Sequence, residues 1–243
     1  MQITENHKVA KVVRENLAAA EIFDSHNIDF CCGGNKSIQE ACQEQGVNPA
    51  NVISELHDKM ETADPGTQFI SRLNAGELCD YIEKRHHAYV TESIPGLQQY
   101  LDKVCDAHGD KHPEVYDVRE FFNQSAGQLS QHMKKEELIL FPIIRKMQKA
   151  LNEGEPVERP HFGSIDNPIS MMREEHANEG ARFEKIAEIT GGFTVPDDAC
   201  NTFRYTYHKL QEFEKDLHRH IHLENNVLFP DAIRMQEKIF GNE

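Results

Sequence analysis

The 243-residue sequence lacks tryptophan, long apolar runs and an excess of basic residues. A transmembrane helix needs about 20 consecutive, mainly apolar residues, and no segment here approaches that length. Only 26 Lys and Arg stand against 41 Asp and Glu, which gives a formal net charge of -15. Because nucleic acids and anionic lipids repel an acidic surface, we expect neither nucleic acid nor a membrane as a partner.

The sequence also lacks a CxxC pair, so a structural zinc knuckle is not expected. The first residues, MQITENHKVAKVV, do not show the basic and then apolar pattern of a secretory signal. We therefore expect a cytoplasmic protein whose six cysteines are reduced thiols, since disulfides are rare in that compartment. Two of them, Cys31 and Cys32, are adjacent in DFCCGG, and the glycines that follow are typical of a tight turn.

Hydrophobic periodicity predicts an all-α protein with a small N-terminal domain. We expect a helical domain over residues 1–62 that carries Cys31 and Cys32, with short helices at roughly 9–23, 38–45 and 52–59. Residues 63–76 are expected to form a linker, in which Pro65-Gly66 is the strongest helix breaker.

The remainder, residues 77–243, is predicted to form an antiparallel four-helix bundle. Long amphipathic patterns cover about 74–105, 114–152, 167–190 and the chain from 198 onward. The segment around 150–165 is rich in Pro, Gly and charge, and a loop of this length is usually functional or mobile.

A 17-residue pattern occurs twice within the predicted bundle. HMKKEELILFPIIRKMQ begins at His132 and HIHLENNVLFPDAIRMQ at His220, and seven positions are identical, where about one is expected by chance. Each copy has a His and, four residues later, a Glu on the same face of a helix, namely Glu136 and Glu224.

These positions lie on stripes that are otherwise apolar. Burial of an unpaired Glu is heavily disfavoured, and a bound metal ion removes that cost by supplying positive charge. The alternative is that each Glu pairs with a buried His or Arg, or that the face is turned to water. His208 and Glu212 have the same spacing but lie off the stripe, and we expect them to form a surface pair.

The helix before each copy adds one further His. His87 lies 45 residues before His132, and His176 lies 44 before His220, so each half is a hairpin with three candidate ligands. The spacing favours His87 over its neighbour His86. His218 and His222 lie about 200° around the helix from His220, so we expect both to be solvated.

Four imidazole nitrogens and two carboxylates exceed the needs of one tetrahedral zinc ion. They suit two six-coordinate metals that share bridging carboxylates and a bridging oxygen. Manganese or zinc could load in vitro, but imidazole with carboxylate is the ligand set of non-haem iron. We therefore infer a site for two iron ions.

At these residues the sequence resembles a known family. The six ligand positions and the repeated LFP resemble the hemerythrin-like bundle, and DFCCGG ahead of such a bundle is similar to the repair-of-iron-centres family, the di-iron iron-sulfur cluster repair proteins of bacteria. The resemblance covers nearly the whole chain. The loop at 150–165 is longer than we expect for that family.

The resemblance implies a stress-response protein that restores iron-sulfur clusters damaged by nitric oxide or peroxide. Its ligands would be His87, His132, Glu136, His176, His220 and Glu224, with both Glu residues as bridges. Cys31 and Cys32 would serve as redox or transfer thiols. The implied partners are damaged iron-sulfur proteins and nitric oxide or oxygen.

Two other functions are compatible with the same residues. A reversible oxygen or nitric oxide carrier or sensor would not need the cysteine domain. A nitric oxide reductase or peroxidase would use the bundle as an active site. Whether the protein turns over a substrate stays open at this point, as does a homodimeric state.

Overall fold

The structure is a computed structural model that describes residues 3–60 and 64–241. Helices dominate these residues, and the sole strand-like feature among them is an isolated bridge between Lys8 and Ser37. The prediction of an all-α fold is confirmed. In the part of the chain that is described, no helix combines the length and the apolar character needed to cross a bilayer.

Five short helices come first. They are α1 (Val9–Glu15), α2 (Ala19–Ser25), α3 (Ile38–Gln45), α4 (Pro49–Met60) and α5 (Pro65–Ile70). The start of α3 has a capping box, in which the side chains of Ser37 and Glu40 each accept a hydrogen bond from the other's backbone N–H.

The expectation of a single helix over 9–23 is wrong, because the helix is interrupted at Asn16. Its backbone is extended, and its side-chain oxygen accepts the N–H of Ala18 at 3.0 Å. An Asn side chain that hydrogen-bonds to nearby backbone groups in this way competes with the backbone hydrogen bonds of a helix.

The long helices follow, and three of them contain a π-helical turn. In chain order the elements are α6 (Ala75–Ile82), π1 (Glu83–His87), α7 (Ala88–His108), α8 (Glu114–Lys135), π2 (Glu136–Leu140), α9 (Phe141–Glu153), α10 (Asp166–Ile189), α11 (Asn201–Leu223), π3 (Glu224–Leu228) and α12 (Phe229–Phe240). A π turn holds one residue more than an α turn and often marks a functional position.

The chain divides into two compact units. The first unit comprises Met1–Asp80, Ile143–Asn167 and His218–Glu243, and the second comprises Tyr81–Pro142 and Pro168–Leu217. The domain boundaries predicted from the sequence stay a prediction. Residues 61–63, where the predicted linker begins, lie outside the described residues.

The second unit has an aromatic core centred on Phe213 of α11. Its ring lies 5.4 Å from that of Phe122 in α8 and 5.6 Å from that of Phe183 in α10, measured between centroids. The ring of Tyr89 in α7 lies 6.1 Å away. Since one side chain contacts all three other helices, burial of these rings holds the four helices of this unit together.

In the first unit, the repeated glutamines have matching roles. The side-chain oxygen of Gln148 accepts the backbone N–H of Ala75, at the start of α6, at 3.2 Å. The side-chain oxygen of Gln236 accepts the N–H of Ile165, just before α10, at 2.7 Å. The first N–H groups of a helix have no partner within the helix, so each Gln caps the helix that opens its own half.

Candidate metal centre

The second unit holds three buried ligand-type side chains from three elements. His132 belongs to α8, Glu136 is the first residue of π2, and His176 belongs to α10. Nε2 of His132 lies 3.0 Å from Nε2 of His176 and 3.4 Å from Oε2 of Glu136. One ligand atom from each residue lies within 4.8 Å of the others, which is a spacing that suits a metal ion.

His87, the last residue of π1, also faces Glu136. Its Nε2 lies 3.4 Å from Oε2 of Glu136, so one carboxylate oxygen is close to two imidazoles. Glu136 is fully buried, and within the described residues neither of its oxygens has a hydrogen-bond partner. A buried carboxylate in this state is costly unless a cation lies beside it, so these side chains fit a metal ion.

The first unit holds the second copy of the His and Glu pair. Nε2 of His220 lies 2.9 Å from Oε1 of Glu224, and both side chains are buried. Glu224 is the first residue of π3, as Glu136 is of π2. All six ligand positions predicted from the sequence are therefore buried.

Two acidic residues bind the outer nitrogens of these imidazoles. Nδ1 of His87 lies 2.8 Å from Oε1 of Glu137, and Nδ1 of His132 lies 2.8 Å from Oε2 of Glu175. Such contacts keep the proton on Nδ1 and direct Nε2 inward as a ligand. Glu137 and Glu175 are sequence neighbours of the predicted ligands Glu136 and His176, and the structure brings each of them to the ring of another predicted ligand.

Glu175 also contacts Lys135. Partial burial by itself would raise the pKa of Glu175, but the hydrogen bonds from Lys135 and His132 outweigh it and lower that pKa below its usual value. The carboxylate therefore stays charged and remains an acceptor for the Nδ1 proton of His132.

The structure separates His86 from His87. His86 is also buried, but its Nδ1 lies 3.0 Å from Oδ2 of Asp216, whereas His87 faces Glu136. The spacing argument for His87 agrees with this placement. The pair of His208 and Glu212 is exposed, with 3.2 Å between Nε2 and Oε1, as expected for a surface contact.

The expectation that His222 is solvated is wrong. Its side chain is fully buried, and its ring lies 5.7 Å from that of Phe30, which precedes the Cys pair. Burial lowers the pKa of His222 to about 4, despite a hydrogen bond with the Phe30 carbonyl. His218 is half-buried, also packs on Phe30 and lies 3.2 Å from Asp24. Helical periodicity cannot predict the burial of His222, because the residue that covers it, Phe30, lies almost 200 residues away in the sequence.

Cys31 and Cys32 lie on a turn built by Asp29, a residue that sequence reasoning missed. Oδ1 of Asp29 accepts the backbone N–H groups of both cysteines at 2.9 Å, and Oδ2 accepts that of Gly33 at 2.7 Å. The two sulfurs are 3.8 Å apart. The structure has no disulfide among the six cysteines, all of which are described.

Comparison with known proteins covers both parts of the chain. Residues 80–232 match the family model of the hemerythrin HHE cation binding domain, and residues 5–59 match a domain of unknown function, DUF542. An iron-sulfur cluster repair protein, ScdA, from Staphylococcus haemolyticus is 34% identical over 227 residues, 93% of this chain and 98% of that protein. The chain belongs to the iron-sulfur cluster repair family.

Other members of the iron-sulfur cluster repair family show the same extent of likeness. The repair protein YtfE of Musicola paradisiaca is 34% identical over 216 residues, 89% of this chain and 91% of that protein. A probable repair protein of Haemophilus influenzae is 34% identical over 227 residues, 93% of this chain and 96% of that protein. The predicted fold, a hemerythrin-like bundle preceded by a small helical region, is confirmed, and the cation-binding match contains all six predicted ligands.

Proposed function

We propose that this chain repairs iron-sulfur clusters damaged by nitrosative or oxidative stress, in the cytoplasm, by supplying iron or by handling nitric oxide. The observation that carries the proposal is the buried carboxylate of Glu136, one oxygen of which lies 3.4 Å from both His87 and His132. The names of the relatives support the repair role.

The proposed centre holds two non-haem iron ions. Its ligands are His87, His132, Glu136, His176, His220 and Glu224, and the two carboxylates serve as bridges. The position of Glu136 between two imidazoles supports a bridging role, and the repeat extends that role to Glu224. When bound, two iron ions would supply one-electron redox chemistry and positions for small diatomic molecules such as nitric oxide or oxygen.

The surrounding residues set how firmly iron is held. Glu137 and Glu175 fix the orientation of two imidazoles, and Lys135 partly neutralises Glu175. The positive charge of Lys135 weakens Glu175 as an acceptor and so limits how strongly it reinforces His132. We propose that Cys31 and Cys32 act as redox or transfer thiols, which accept iron or hand on reducing equivalents.

The test is iron donation to a damaged client. The iron-loaded protein is incubated, in the presence of sulfide and a thiol reductant, with a dehydratase whose iron-sulfur cluster has been removed. Recovery of the dehydratase activity is compared with that given by the same amount of iron in solution under the same conditions. We expect recovery above that control, and no such excess with Glu136→Gln. Glu212→Gln is the matched control, since Glu212 lies on an exposed part of α11.

If the loaded protein restores no more activity than dissolved iron, donation is excluded. The same assay on a nitrosylated client then tests the other half of the proposal. Failure with both clients would overturn the repair function.

A further inference from the structure

The turn that carries the Cys pair brings three metal-ligand atoms together. Asp29, Cys31 and Cys32 each place one ligand atom within 4.8 Å of the others. A carboxylate oxygen and two sulfurs are ligands that Zn²⁺ and Fe²⁺ accept in proteins. This cluster belongs to the first unit and shares no residue with the proposed di-iron centre.

The distance between the two sulfurs matches metal coordination. Two metal–sulfur bonds of about 2.3 Å at the tetrahedral angle hold their sulfurs about 3.8 Å apart. The sulfurs of Cys31 and Cys32 are 3.8 Å apart, and Oδ1 of Asp29 lies 3.3 Å from the sulfur of Cys31. An ion could therefore bind with little movement of the chain.

Hydrogen bonds hold the turn in this shape. The carboxylate of Asp29 accepts three backbone N–H groups, as described above. From outside the turn, the side-chain amides of Asn225 and Asn226 donate to the carbonyl of Cys31 at 3.2 and 3.1 Å. A ligand set that is ordered beforehand loses less entropy when it binds.

The two glycines after the Cys pair are also required by this shape. A Cβ atom at Gly33 would lie 2.9 Å from Oδ2 of Asp29. A Cβ at Gly34 would lie 2.5 Å from the carbonyl oxygen of Phe30 and 2.6 Å from Cβ of Ala10. Only glycine allows the backbone to pass this close to the carboxylate and to α1.

The charges of the cluster favour a cation. Two thiolates beside a carboxylate repel one another, and a divalent ion removes that repulsion.

We propose that Asp29, Cys31 and Cys32 bind one thiophilic divalent cation, Fe²⁺ or Zn²⁺, and leave a fourth coordination position open. On binding, each thiol releases its proton to solvent and forms a metal–sulfur bond, and no oxidation state changes. Structural zinc sites use four protein ligands, whereas a site with three accepts an external ligand, so this site is suited to transfer. Its use in iron transfer rests on the proposed function, but the binding itself does not.

Cadmium is the probe, because its thiolate complexes absorb in the ultraviolet while imidazole and carboxylate ligands give no such band. The full chain, with iron already loaded in the bundle, is titrated with Cd²⁺. We expect one equivalent to produce the band, and X-ray absorption at the cadmium edge to count two sulfur neighbours. Cys31→Ser and Cys32→Ser should each abolish tight binding, and Asp29→Asn should weaken it at least tenfold.

Cys200→Ser is the matched control, since Cys200 is an exposed thiol outside the turn, and it should leave the titration unchanged. A band that persists in the double Cys31→Ser, Cys32→Ser variant overturns the site. Equal affinity in Asp29→Asn, or a sulfur count other than two in the parent, overturns the ligand set. The edge measurement needs no variant, so a folding defect in Asp29→Asn does not decide the outcome.

The titration and the repair assay fail independently. Glu136→Gln removes donation under the proposed function but should leave the cadmium band intact. A Cys variant that loses the band but still repairs clusters shows that the cation site exists and is not used in repair.

Discussion

Nδ1 of His132 lies 2.8 Å from Oε2 of Glu175, so a carboxylate orients this imidazole from the side away from the proposed iron. Glu175→Gln should lower iron affinity about 10- to 100-fold, because loss of such a partner frees the ring and reduces its basicity. The measurement is the loss of iron to a chelator over time. Glu174→Gln changes an exposed neighbour and should have no effect. If Glu175→Gln loses iron to the chelator no faster than Glu174→Gln does, Glu175 does not influence iron binding.

Glu136→Gln should abolish the ferric charge-transfer spectrum of a bridged di-iron centre, since an amide is a poor bridging ligand. Iron analysis should fall below two ions per chain. The unfolding free energy of the iron-free protein should not fall, because this variant removes a buried carboxylate that has no hydrogen-bond partner among the described residues. Glu212→Gln should keep the parental spectrum. A bridged spectrum in Glu136→Gln would assign the bridge elsewhere.

Gln236→Ala should reduce the unfolding free energy by about 0.5–2 kcal/mol, the usual range for loss of a helix cap. The change leaves the N–H of Ile165 without its partner at the start of α10. Gln148→Ala should have an effect of similar size through Ala75. Urea denaturation of the iron-free protein measures both, and Gln128→Ala, at an exposed position of α8, should lie within about 0.5 kcal/mol of the parent.

Nε2 of His112 lies 2.9 Å from Oδ1 of Asp198, and this hydrogen bond raises the pKa of His112. Because the pKa of His112 is higher in the folded state, protonated His112 stabilises the fold fully at pH values below its unfolded-state pKa of about 6.5. This stabilisation is lost as the pH rises through the folded-state pKa. The same contact lowers the pKa of Asp198, so the stabilisation also declines in acid, as pH falls from about 4. Asp198 is exposed and His112 is only partly buried, so the effect should be modest.

Denaturation of the parent and of His112→Gln across this pH range gives the difference directly. It should be largest between about pH 4 and 6.5 and shrink above that range. His208→Gln, which removes an exposed contact within α11, is the control for a generic loss of a surface imidazole. A difference that grows with pH would contradict the assignment.

The long helices and the burial of the six proposed ligand positions were predictable from local pattern. A His and a Glu four residues apart lie on one face of any helix, and the repeat of that pair on an apolar stripe distinguished them from the surface pair of His208 and Glu212. The hydrogen bonds that cap α3 at Ser37 and α6 at Asn74 likewise join residues three positions apart, within one helical turn.

The π turns were not predictable from that pattern. Ile139 and Leu140 are adjacent apolar residues of the helix predicted over 114–152, but Ile139 is 45% exposed while Leu140 is buried. Because π2 holds one extra residue, side chains beyond Glu136 are rotated from their α-helical positions. The backbone hydrogen bonds that make this turn carry no signature in the side-chain sequence.

Contacts between segments that are distant in the sequence could not be predicted either. The burial of His222 depends on Phe30, and the cap on α10 depends on Gln236, 71 residues away. The partners of His87 and His132 were visible only as acidic neighbours of ligands, since their direction depends on how the helices pack. Asp29 gave no signal beyond its place in a turn-forming segment.

The extra residue of the π turn carries information about ancestry. Both π2 and π3 begin at the Glu of the repeated motif and span the same five positions of their copies. Two separate insertions at one equivalent position would be needed if each half had acquired its turn after the halves diverged. A single insertion in an ancestral helical hairpin, followed by duplication of that hairpin, would account for both turns with one event.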